Sequence, residues 1–178
     1  MNHPPHGFVS NRVLRLNVGF LLNESVGTSR DMTFDVPALA VADDLRLAYL
    51  RGAFRLSRTH EGILVQGHLD TAIEGECRRC LSPLDLPLSV KIEELFANAP
   101  LSGAQFVVGE DAILDLTPLV REEVILATPL APLCKPDCAG LCPQCGHNRN
   151  LGPCDCKPDE GDPRFAALLQ LQEWIEDE

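Results

Sequence analysis

Apolar and polar residues alternate along the middle of the chain. Because successive side chains of a strand point to opposite faces, this period of two predicts strands with one buried face. Residues 46–57 carry the first such pattern, which slips in phase between Leu47 and Leu50 and so predicts a β-bulge there. Residues 63–74 carry the second, and the turn at residues 58–62 joins the two stretches into a long hairpin.

A third strand is predicted at residues 84–92, where every second residue is apolar. Pro87 has no N–H group to donate, so this strand should lie at a sheet edge or turn that nitrogen outward. Residues 45–95 are therefore predicted to form an antiparallel meander. The alternation at residues 13–18 predicts a further strand close to the N-terminus.

Helical spacing replaces the alternation after Thr117. Thr117 suits the N-cap position and Pro118 the first helical residue, and Pro129 should end the helix. A second, short amphipathic helix is predicted close to the C-terminus, with Asp162 as its cap and Pro163 at its start. Its apolar stripe consists of Phe165, Leu168, Leu169, Leu171 and Trp174.

Charge is distributed unevenly along the chain. The whole sequence has a net charge of −11 and a pI near 4.8, which argues against broad nonspecific binding to nucleic acid. The first 60 residues nevertheless carry seven arginines against five acidic residues. Contact with an anionic partner should therefore use this part of the chain, and the candidate residues are Arg46, Arg51, Arg55 and Arg58.

The sequence shows neither a membrane span nor a secretory signal. No apolar run approaches the ~20 residues that a transmembrane helix needs, and the chain does not start with a basic region followed by an unbroken apolar one. We therefore expect a cytoplasmic protein. Thiols stay reduced in that compartment, so clustered cysteines indicate metal binding or catalysis rather than disulfides.

Eight cysteines are present, and six of them lie inside residues 134–156. Cys142 and Cys145 belong to the segment CPQCG, in which a C-x-x-C turn followed by glycine lets two thiolates bind one ion. This pattern is typical of a zinc knuckle. Tetrahedral zinc needs a second pair of ligands, and the candidate pairs are Cys134 with Cys138, Cys154 with Cys156, and Cys77 with Cys80.

The spacing of the cysteines leaves the number of zinc ions open. Eight thiols fit two four-cysteine sites, and one site beside a separate Cys77–Cys80 pair fits equally well. His147 is a further candidate ligand, although a solvated loop histidine is the simpler interpretation. The cations that could offset thiolate charge are Arg78, Arg79, Lys135, Arg149 and Lys157.

Catalysis has little support in the sequence. The two arginines between Cys77 and Cys80 would lower a thiol pKa, but the motif follows a strand instead of leading into the helix of a βαβ unit. No Ser/His/Asp set, phosphate loop or pair of catalytic carboxylates is evident. We therefore expect a protein that is not an enzyme and has no small-molecule substrate.

The fold class predicted from these patterns is α+β: an antiparallel β-meander or barrel-like sheet, a few helices and a C-terminal cysteine-rich zinc-binding segment. The length of 178 residues allows one domain, or one domain and a small module. We expect a β-rich domain at residues 1–130, which includes the helix after Thr117. A cysteine-rich zinc segment at residues 131–178 follows, with the C-terminal helix packed on it.

Three motifs taken together resemble the YceD family, the large ribosomal RNA subunit accumulation proteins. CRRCLSPLDLPL begins at Cys77, LCKPDCAGLCPQCGHNRNLGPCDC begins at Leu133, and DPRFAALLQL begins at Asp162. The C-x-R-C motif of the family falls on Cys77, Arg79 and Cys80. The family's L-C-x3-C-x-G-L-C-P-x-C-G-x-N-x-N motif falls on residues 133–150, and the likeness spans about residues 45–175.

This resemblance implies a non-enzymatic factor that large-subunit ribosomal RNA needs in order to accumulate in bacteria and plastids, with direct RNA contact suggested for some members. Two classes of function follow. The first is a zinc-stabilised factor that contacts large-subunit ribosomal RNA, or its precursor particle, through the arginines named above. The second is an acidic adaptor that binds a basic ribosomal protein through residues such as Glu122, Glu123 and Glu176.

Overall fold

The structure is a computed structural model that describes residues 8–99 and 104–156. The strands are β1 (Val9–Ser10), β2 (Arg15–Asn17), β3 (Ser29–Val36), β4 (Leu39–Ala42), β5 (Leu45–Leu47), β6 (Leu50–Arg58), β7 (Gly62–Glu76), β8 (Pro83–Ala97), β9 (Phe106–Val107) and β10 (Ile113–Asp115). The helices are α1 (Gly19–Leu22) and α2 (Thr117–Ala127), and a 3-10 turn covers Asn11–Leu14. Neither α-helix in this part of the chain is long and apolar enough to cross a membrane.

The largest sheet has the strand order β3-β6-β7-β8-β9. Its first four strands are antiparallel, and β9 adds a short parallel pair at the end of β8. The meander predicted over residues 45–95 is confirmed, because β6, β7 and β8 pair in chain order. Within the described residues the sheet stays open between β3 and β9, so the predicted barrel-like closure is absent there.

One face of this sheet is buried, as its alternating pattern requires. Leu56, Val65 and Ile92, on three adjacent strands, belong to the main hydrophobic core. Helix α2 packs against β8 and β4 and adds Leu119, Val120 and Val124 to the same core. The opposite face carries exposed polar side chains such as Gln66 and His68. The sheet is therefore a one-sided layer whose core lies towards α2.

The phase slip between Leu47 and Leu50 is a bend between two strands, so the predicted bulge is wrong. Strand β5 ends at Leu47 in a three-stranded sheet of order β1-β4-β5, whereas β6 begins at Leu50 in the large sheet. The N–H of Ala48 donates to the carbonyl of Ala72 at 2.8 Å and holds the bend against β7. The chain changes sheet here instead of inserting an extra residue into one strand.

Pro87 lies where its missing N–H costs least. Among the residues that the structure describes, only the end of β8 pairs with β9, so β8 near Pro87 has β7 as its one neighbour. Ala72 is the residue opposite Pro87, and its carbonyl accepts from Ala48 on the other side. The pair is therefore not hydrogen-bonded, and the nitrogen of Pro87 faces the open edge, as predicted.

Helix α2 confirms the helix predicted after Thr117, with one correction at its start. Thr117 is the first helical residue and Leu116 precedes it, so Thr117 is not the N-cap. The carboxylate of Asp115 accepts from the Thr117 N–H at 2.9 Å and so satisfies a free amide of the first turn. The helix predicted to begin at Pro163 lies outside the described residues.

The N-terminal part of the chain departs most from expectation. The strand predicted at residues 13–18 is limited to β2, because the 3-10 turn takes up its first residues, and β2 pairs with β10. Strand β3 pairs with β6 along its whole length, and the sequence did not predict it. Phe34 is its one buried side chain, Met32 and Val36 are half-buried against the core, and the first three residues are exposed, so the alternation covers only the second half of the strand.

Candidate metal centres

The turn between β7 and β8 is a cysteine knuckle. Cys77 and Cys80 lie in the six residues that separate the two strands. The N–H of Leu81 donates to the carbonyl of Cys77, and the N–H of Cys77 donates to the carbonyl of Ser82, both at 2.9 Å. These bonds close the turn and bury both cysteines. The C-x-R-C motif is thus a rigid ligand pair at the end of the longest hairpin.

A second knuckle with the same hydrogen bond is formed by Cys142 and Cys145. The N–H of Gly146 donates to the carbonyl of Cys142 at 2.9 Å. Gly146 has a φ of 71°, and Leu81, at the corresponding position of the first knuckle, has a φ of 57°. In both knuckles the residue after the second cysteine therefore has a left-handed backbone conformation. Glycine adopts this conformation freely, whereas leucine adopts it only at an energetic cost.

The eight cysteines form two groups of four. Cluster 1 contains Cys77, Cys80, Cys134 and Cys138, and cluster 2 contains Cys142, Cys145, Cys154 and Cys156. Within each cluster the four sulfur atoms lie within 4.8 Å of one another. The structure therefore places the last two cysteines beside the CPQCG knuckle and brings the first two of the segment to the β7–β8 turn. The sequence left this choice open.

The sulfur positions suit a single tetrahedral ion. Metal–sulfur bonds of about 2.3 Å in tetrahedral geometry separate the sulfurs by about 3.8 Å. The Sγ atoms of Cys77 and Cys138 are 3.7 Å apart, and so are those of Cys80 and Cys134. All eight cysteines are free thiols, and each cluster is close enough to hold a metal ion.

Cluster 1 lies between the large sheet and the cysteine segment, in a small apolar core of its own. Cys77, Cys80 and Cys138 are buried, and Leu84 and Leu141 pack against them. This core is separate from the main hydrophobic core of the sheet. The interior of cluster 1 is therefore largely screened from water.

Backbone hydrogen bonds fix the cysteine segment to the first knuckle. The N–H of Arg78 donates to the carbonyl of Pro132 at 2.8 Å, and the N–H of Leu141 donates to the carbonyl of Arg79 at 3.0 Å. The guanidinium of Arg79 also donates to the carbonyl of Cys138 at 3.0 Å. The arginine of the C-x-R-C motif thus orients the backbone next to a sulfur of the same cluster.

Asn148 and Asn150 connect the loop of cluster 2 to the sulfurs of cluster 1. The amide of Asn150 donates to Cys138 Sγ at 3.3 Å and to Oδ1 of Asn148 at 2.8 Å. The amide of Asn148 donates to Ser82 Oγ at 3.3 Å, and that hydroxyl is hydrogen-bonded to Cys80 Sγ, also at 3.3 Å. Sequence reasoning assigned these residues no role, although both belong to the G-x-N-x-N motif. Such outer contacts orient the ligands of a metal.

Thiols of one cluster differ in pKa. Backbone N–H groups, that of Cys145 foremost, lower the pKa of Cys142 to about 6. Hydrogen bonding to the Cys145 side chain, together with burial, raises the pKa of Cys156 to about 12. Burial opposes ionisation of Cys77, but surrounding N–H groups outweigh it and lower its pKa to about 6. Desolvation of the Cys134 sulfur and its hydrogen bonds with the other thiols of cluster 1 raise the pKa of Cys134 to about 12, although the residue as a whole is exposed. Ionisation of one thiol in each cluster therefore opposes ionisation of another, and a bound divalent cation would offset that repulsion.

Cluster 2 is the more open of the two. Cys142 is buried, Cys145 is exposed, and the remaining two cysteines are half-buried. His147 is exposed and its Nε2 lies 3.2 Å from the carbonyl of Gly152, outside the set of four sulfurs. The geometry therefore favours the solvated-loop interpretation of His147.

Two of the arginines expected to contact a partner form ion pairs on the exposed face of the sheet. Arg51 donates to Asp35 at 3.0 Å. Arg55 donates to both carboxylate oxygens of Asp31, at 2.6 and 2.9 Å. All four side chains are more than half exposed. The charge of these arginines is thus matched by neighbouring carboxylates on β3.

The other two expected contact arginines also have local partners. Arg58 donates to the carbonyls of Thr59 and Gly62, at 2.6 and 3.2 Å. The guanidinium of Arg46 lies 5.2 Å from the centre of the Phe8 ring, a cation–π distance. The four arginines therefore do not form a patch of unpaired positive charge.

Comparison with known proteins places the cysteine clusters inside a recognised family region. The sequence model of the family described as large ribosomal RNA subunit accumulation protein YceD matches residues 65–172, a stretch that includes all eight cysteines. The chain is 37% identical over 124 residues to an uncharacterized protein of Mycobacterium tuberculosis, which covers 66% of this chain and 59% of that protein. This chain therefore spans about three fifths of that relative's length.

Two further relatives extend the similarity beyond mycobacteria. The YlbN protein of Bacillus subtilis is 31% identical over 114 residues, covering 60% of this chain and 66% of that protein. A chloroplastic large ribosomal RNA subunit accumulation protein, YCED homolog 1 of Arabidopsis thaliana, is 32% identical over 63 residues, covering 35% of this chain and 20% of that protein. No solved structure matches the chain.

Proposed function

The chain belongs to the YceD family of large ribosomal RNA subunit accumulation proteins, and we propose that it is a non-enzymatic factor in the accumulation of that RNA, stabilised by two zinc ions. The observation that carries the proposal is that the family match contains both four-sulfur clusters. In this proposal cluster 1 and cluster 2 each bind one ion, and the metal has a structural role.

Zinc is proposed because of the donor set and its spacing. Sets of four sulfur ligands select zinc or iron–sulfur centres. The 3.7 Å separations in cluster 1 suit one ion bonded to all four sulfurs, whereas an iron–sulfur cluster places several atoms between its cysteines. Four protein ligands leave no position for water or substrate, which is typical of a structural site.

The proposed factor works in the cytoplasm, where thiols stay reduced and available to metal. In this proposal the chain divides into a β-rich domain, residues 1–130, and a cysteine-rich segment, residues 131–178. The bonds from the first knuckle to Pro132 and Leu141 support a fixed arrangement of the segment on the hairpin. In this arrangement zinc presents a defined surface to the ribosomal partner.

The proposed partner is large-subunit ribosomal RNA or its precursor particle, bound without any small-molecule substrate or membrane. A second candidate, an acidic adaptor for a basic ribosomal protein, is favoured by the net charge of −11 and by the paired state of Arg51 and Arg55. Of the acidic residues suggested for it, Glu122 and Glu123 are half-buried on α2, and Glu176 lies outside the described residues.

Deletion of the gene tests the proposed function. We expect the ratio of large- to small-subunit ribosomal RNA to fall in the deletion strain and to recover with the wild-type gene. An unchanged ratio would contradict the proposal. Purification of the protein with and without nuclease treatment then separates the two partners, because an RNA-mediated association is lost on digestion and a contact with a ribosomal protein survives.

A further inference from the structure

The cations of the described chain divide into those with a partner and those without. Carboxylates, backbone carbonyls or aromatic rings engage Arg15, Arg30, Arg46, Arg51, Arg55, Arg58, Arg79, Lys91 and Arg121. Among residues 8–99 and 104–156, the cations without such a partner are Arg12, Arg78, Lys135 and Arg149. Three of these four lie in the cysteine knuckles or the loops beside them.

The backbone brings these three residues to one end of the molecule. Arg78 lies inside the first knuckle, and Lys135 lies in the loop where its carbonyl accepts from the Cys138 N–H at 3.1 Å. The N–H of Arg149 donates to the carbonyl of Gly140 at 2.9 Å. Gly140 is packed so closely on the first knuckle that a Cβ there would lie 3.1 Å from a carbonyl of that knuckle. We call the exposed side chains of Arg78, Lys135 and Arg149 the basic rim.

Leu81 lies in the same knuckle as Arg78 and is unusual in both its exposure and its backbone conformation. Its side chain is 58% exposed, and its φ of 57° is one that a bulky residue rarely adopts. Gly146 supplies the same turn in the second knuckle without a side chain. An apolar side chain held in water by a strained backbone gains little from folding, so its contribution is expected in a contact with a partner.

We propose that the basic rim, with Leu81 beside it, is the surface that contacts large-subunit ribosomal RNA, an inference that rests on the function proposed above. Guanidinium and ammonium groups bind phosphate oxygens through charge-assisted hydrogen bonds. Unpaired cations do so without first breaking an ion pair, which the strand residues Arg51 and Arg55 would have to do. Leu81 packs against an unstacked base or a sugar of an RNA loop.

The charges around the basic rim limit how many phosphates it can contact. Three of the four thiols of cluster 1 are buried, whereas Arg78, Lys135 and Arg149 are exposed, so a partner at this surface meets the cations first. Asp137 and Asp155 are exposed in the same segment and oppose binding to a long run of phosphates. The basic rim is therefore suited to a few phosphates at one defined RNA feature, which also fits the acidic character of the whole chain.

Matched triple variants of the full chain test the inference. The first carries Arg78→Gln, Lys135→Gln and Arg149→Gln; the control carries Arg46→Gln, Arg51→Gln and Arg55→Gln, with the same loss of charge. The probe is a full-length transcript of large-subunit ribosomal RNA, and its affinity is measured over a range of salt concentrations. We expect the first variant to bind at least about tenfold more weakly. Its slope of log K against log salt should fall by about 2, because each phosphate contact contributes roughly 0.7–0.9.

The control triple should bind within about threefold of wild type at one salt concentration, since Arg51 and Arg55 are in ion pairs and Arg46 lies over the Phe8 ring. Equal weakening of the two triples would show an effect of net charge alone and would overturn the inference, as would weakening of the control alone. Absence of RNA binding by the wild-type protein would also overturn it. That result leaves the proposed function to be decided separately by the ratio of ribosomal RNAs in the deletion strain.

Two further variants complete the experiment. Zinc content and circular dichroism are measured for each protein to detect misfolding. If the first triple loses zinc, the double variant Lys135→Gln, Arg149→Gln replaces it, because neither side chain has a partner among the described residues. Leu81→Gly should keep its zinc and weaken RNA binding by about threefold or more; unchanged binding would remove Leu81 from the surface.

Discussion

Cluster 1 and cluster 2 each contain a knuckle of the same type, but they differ in the sequence separation of their ligands. The close sulfur pairs of cluster 1 join residues 54 and 61 positions apart. All ligands of cluster 2 lie within residues 142–156. The first cluster therefore connects a β-hairpin to a distant segment, whereas the second folds one short loop.

The surroundings of the clusters follow the same division. Cluster 1 has a small apolar core, and two of its sulfurs are hydrogen-bonded directly to the side chains of Asn150 and Ser82. Cluster 2 has one buried cysteine and lies nearer to water. Closing a loop costs conformational entropy that grows slowly with its length, so a long-range site depends on its packing as well as on its metal. The same type of knuckle thus joins distant parts of the chain in cluster 1 and orders a short loop in cluster 2.

The largest expected effect comes from removing the first knuckle. Structural zinc contributes on the order of 10–16 kcal/mol of apparent folding free energy in small modules. In the variant Cys77→Ser, Cys80→Ser we expect residues 132–141 to lose protection in hydrogen exchange, because their anchor on the hairpin is gone. The strands of the large sheet should stay protected, since the main core excludes this cluster.

The matched control is Cys154→Ser, Cys156→Ser, which removes two ligands of cluster 2. Loss of protection should then be confined to residues 142–156. If either variant unfolds the large sheet, the clusters and the sheet form one cooperative unit, and the contrast between long-range and local sites is wrong.

Chelation should separate the clusters in time. The more exposed sulfurs of cluster 2 give a chelator earlier access, so we expect two phases of zinc release, the faster one from cluster 2. A chromogenic chelator follows both phases. The variant Cys142→Ser, Cys145→Ser should retain the slow phase alone. A single phase in the wild-type protein, or a lone fast phase in the variant, would contradict the order.

A smaller effect is expected from Asn150→Ala. The Asn150 amide donates to Cys138 Sγ, and loss of such an outer contact typically lowers metal affinity about 10–100-fold. Competition with a chelator of known affinity measures the change, which should fall on cluster 1 and leave cluster 2 nearly unaffected. Asn98→Ala, at an exposed site away from both clusters, is the control. Equal loss from both clusters would mean that Asn150 acts on the whole segment.

The smallest effect concerns the left-handed residue of each knuckle. A left-handed conformation costs a non-glycine residue about 1–2 kcal/mol. Gly146→Leu should therefore destabilise the zinc-bound protein, and Leu81→Gly should leave its stability equal or slightly raised. Thermal unfolding of the zinc-bound variants gives the comparison. A clear destabilisation by Leu81→Gly would show that the leucine packs against the protein, and would count against a role in partner contact.

Sequence reasoning anticipated the parts of the molecule that repeat a simple pattern. The alternation on β6, β7 and β8 marks a buried face, and Pro87 marks an edge. Strand β3 was missed because Phe34 is its one buried side chain, and Met32 and Val36 beside it are only half-buried against the core. Likewise, the Thr117 N-cap was wrong because Asp115, two residues earlier, supplies the acceptor.

In the metal centres, too, local features could be predicted from the sequence and long-range contacts could not. CPQCG identifies a knuckle because its glycine signals the left-handed turn. The equivalent turn at Cys80 carries Leu81 and lacks that signal, and the two arginines between Cys77 and Cys80 offered redox chemistry as an alternative there. The grouping of the ligands depends on the docking of Pro132 and Leu141 on the β7–β8 turn, and no local pattern encodes that contact.

The number of zinc ions bound by three proteins shows whether the chain has two separate four-cysteine sites. Native mass spectrometry is applied to the wild-type protein, to Cys77→Ser, Cys80→Ser and to Cys142→Ser, Cys145→Ser, all purified under reducing conditions without chelator. We predict two ions, one ion and one ion, because each variant disables one cluster and leaves the other four sulfurs in place. A single ion in the wild-type protein, or the loss of all zinc from either variant, would contradict two separate four-cysteine sites.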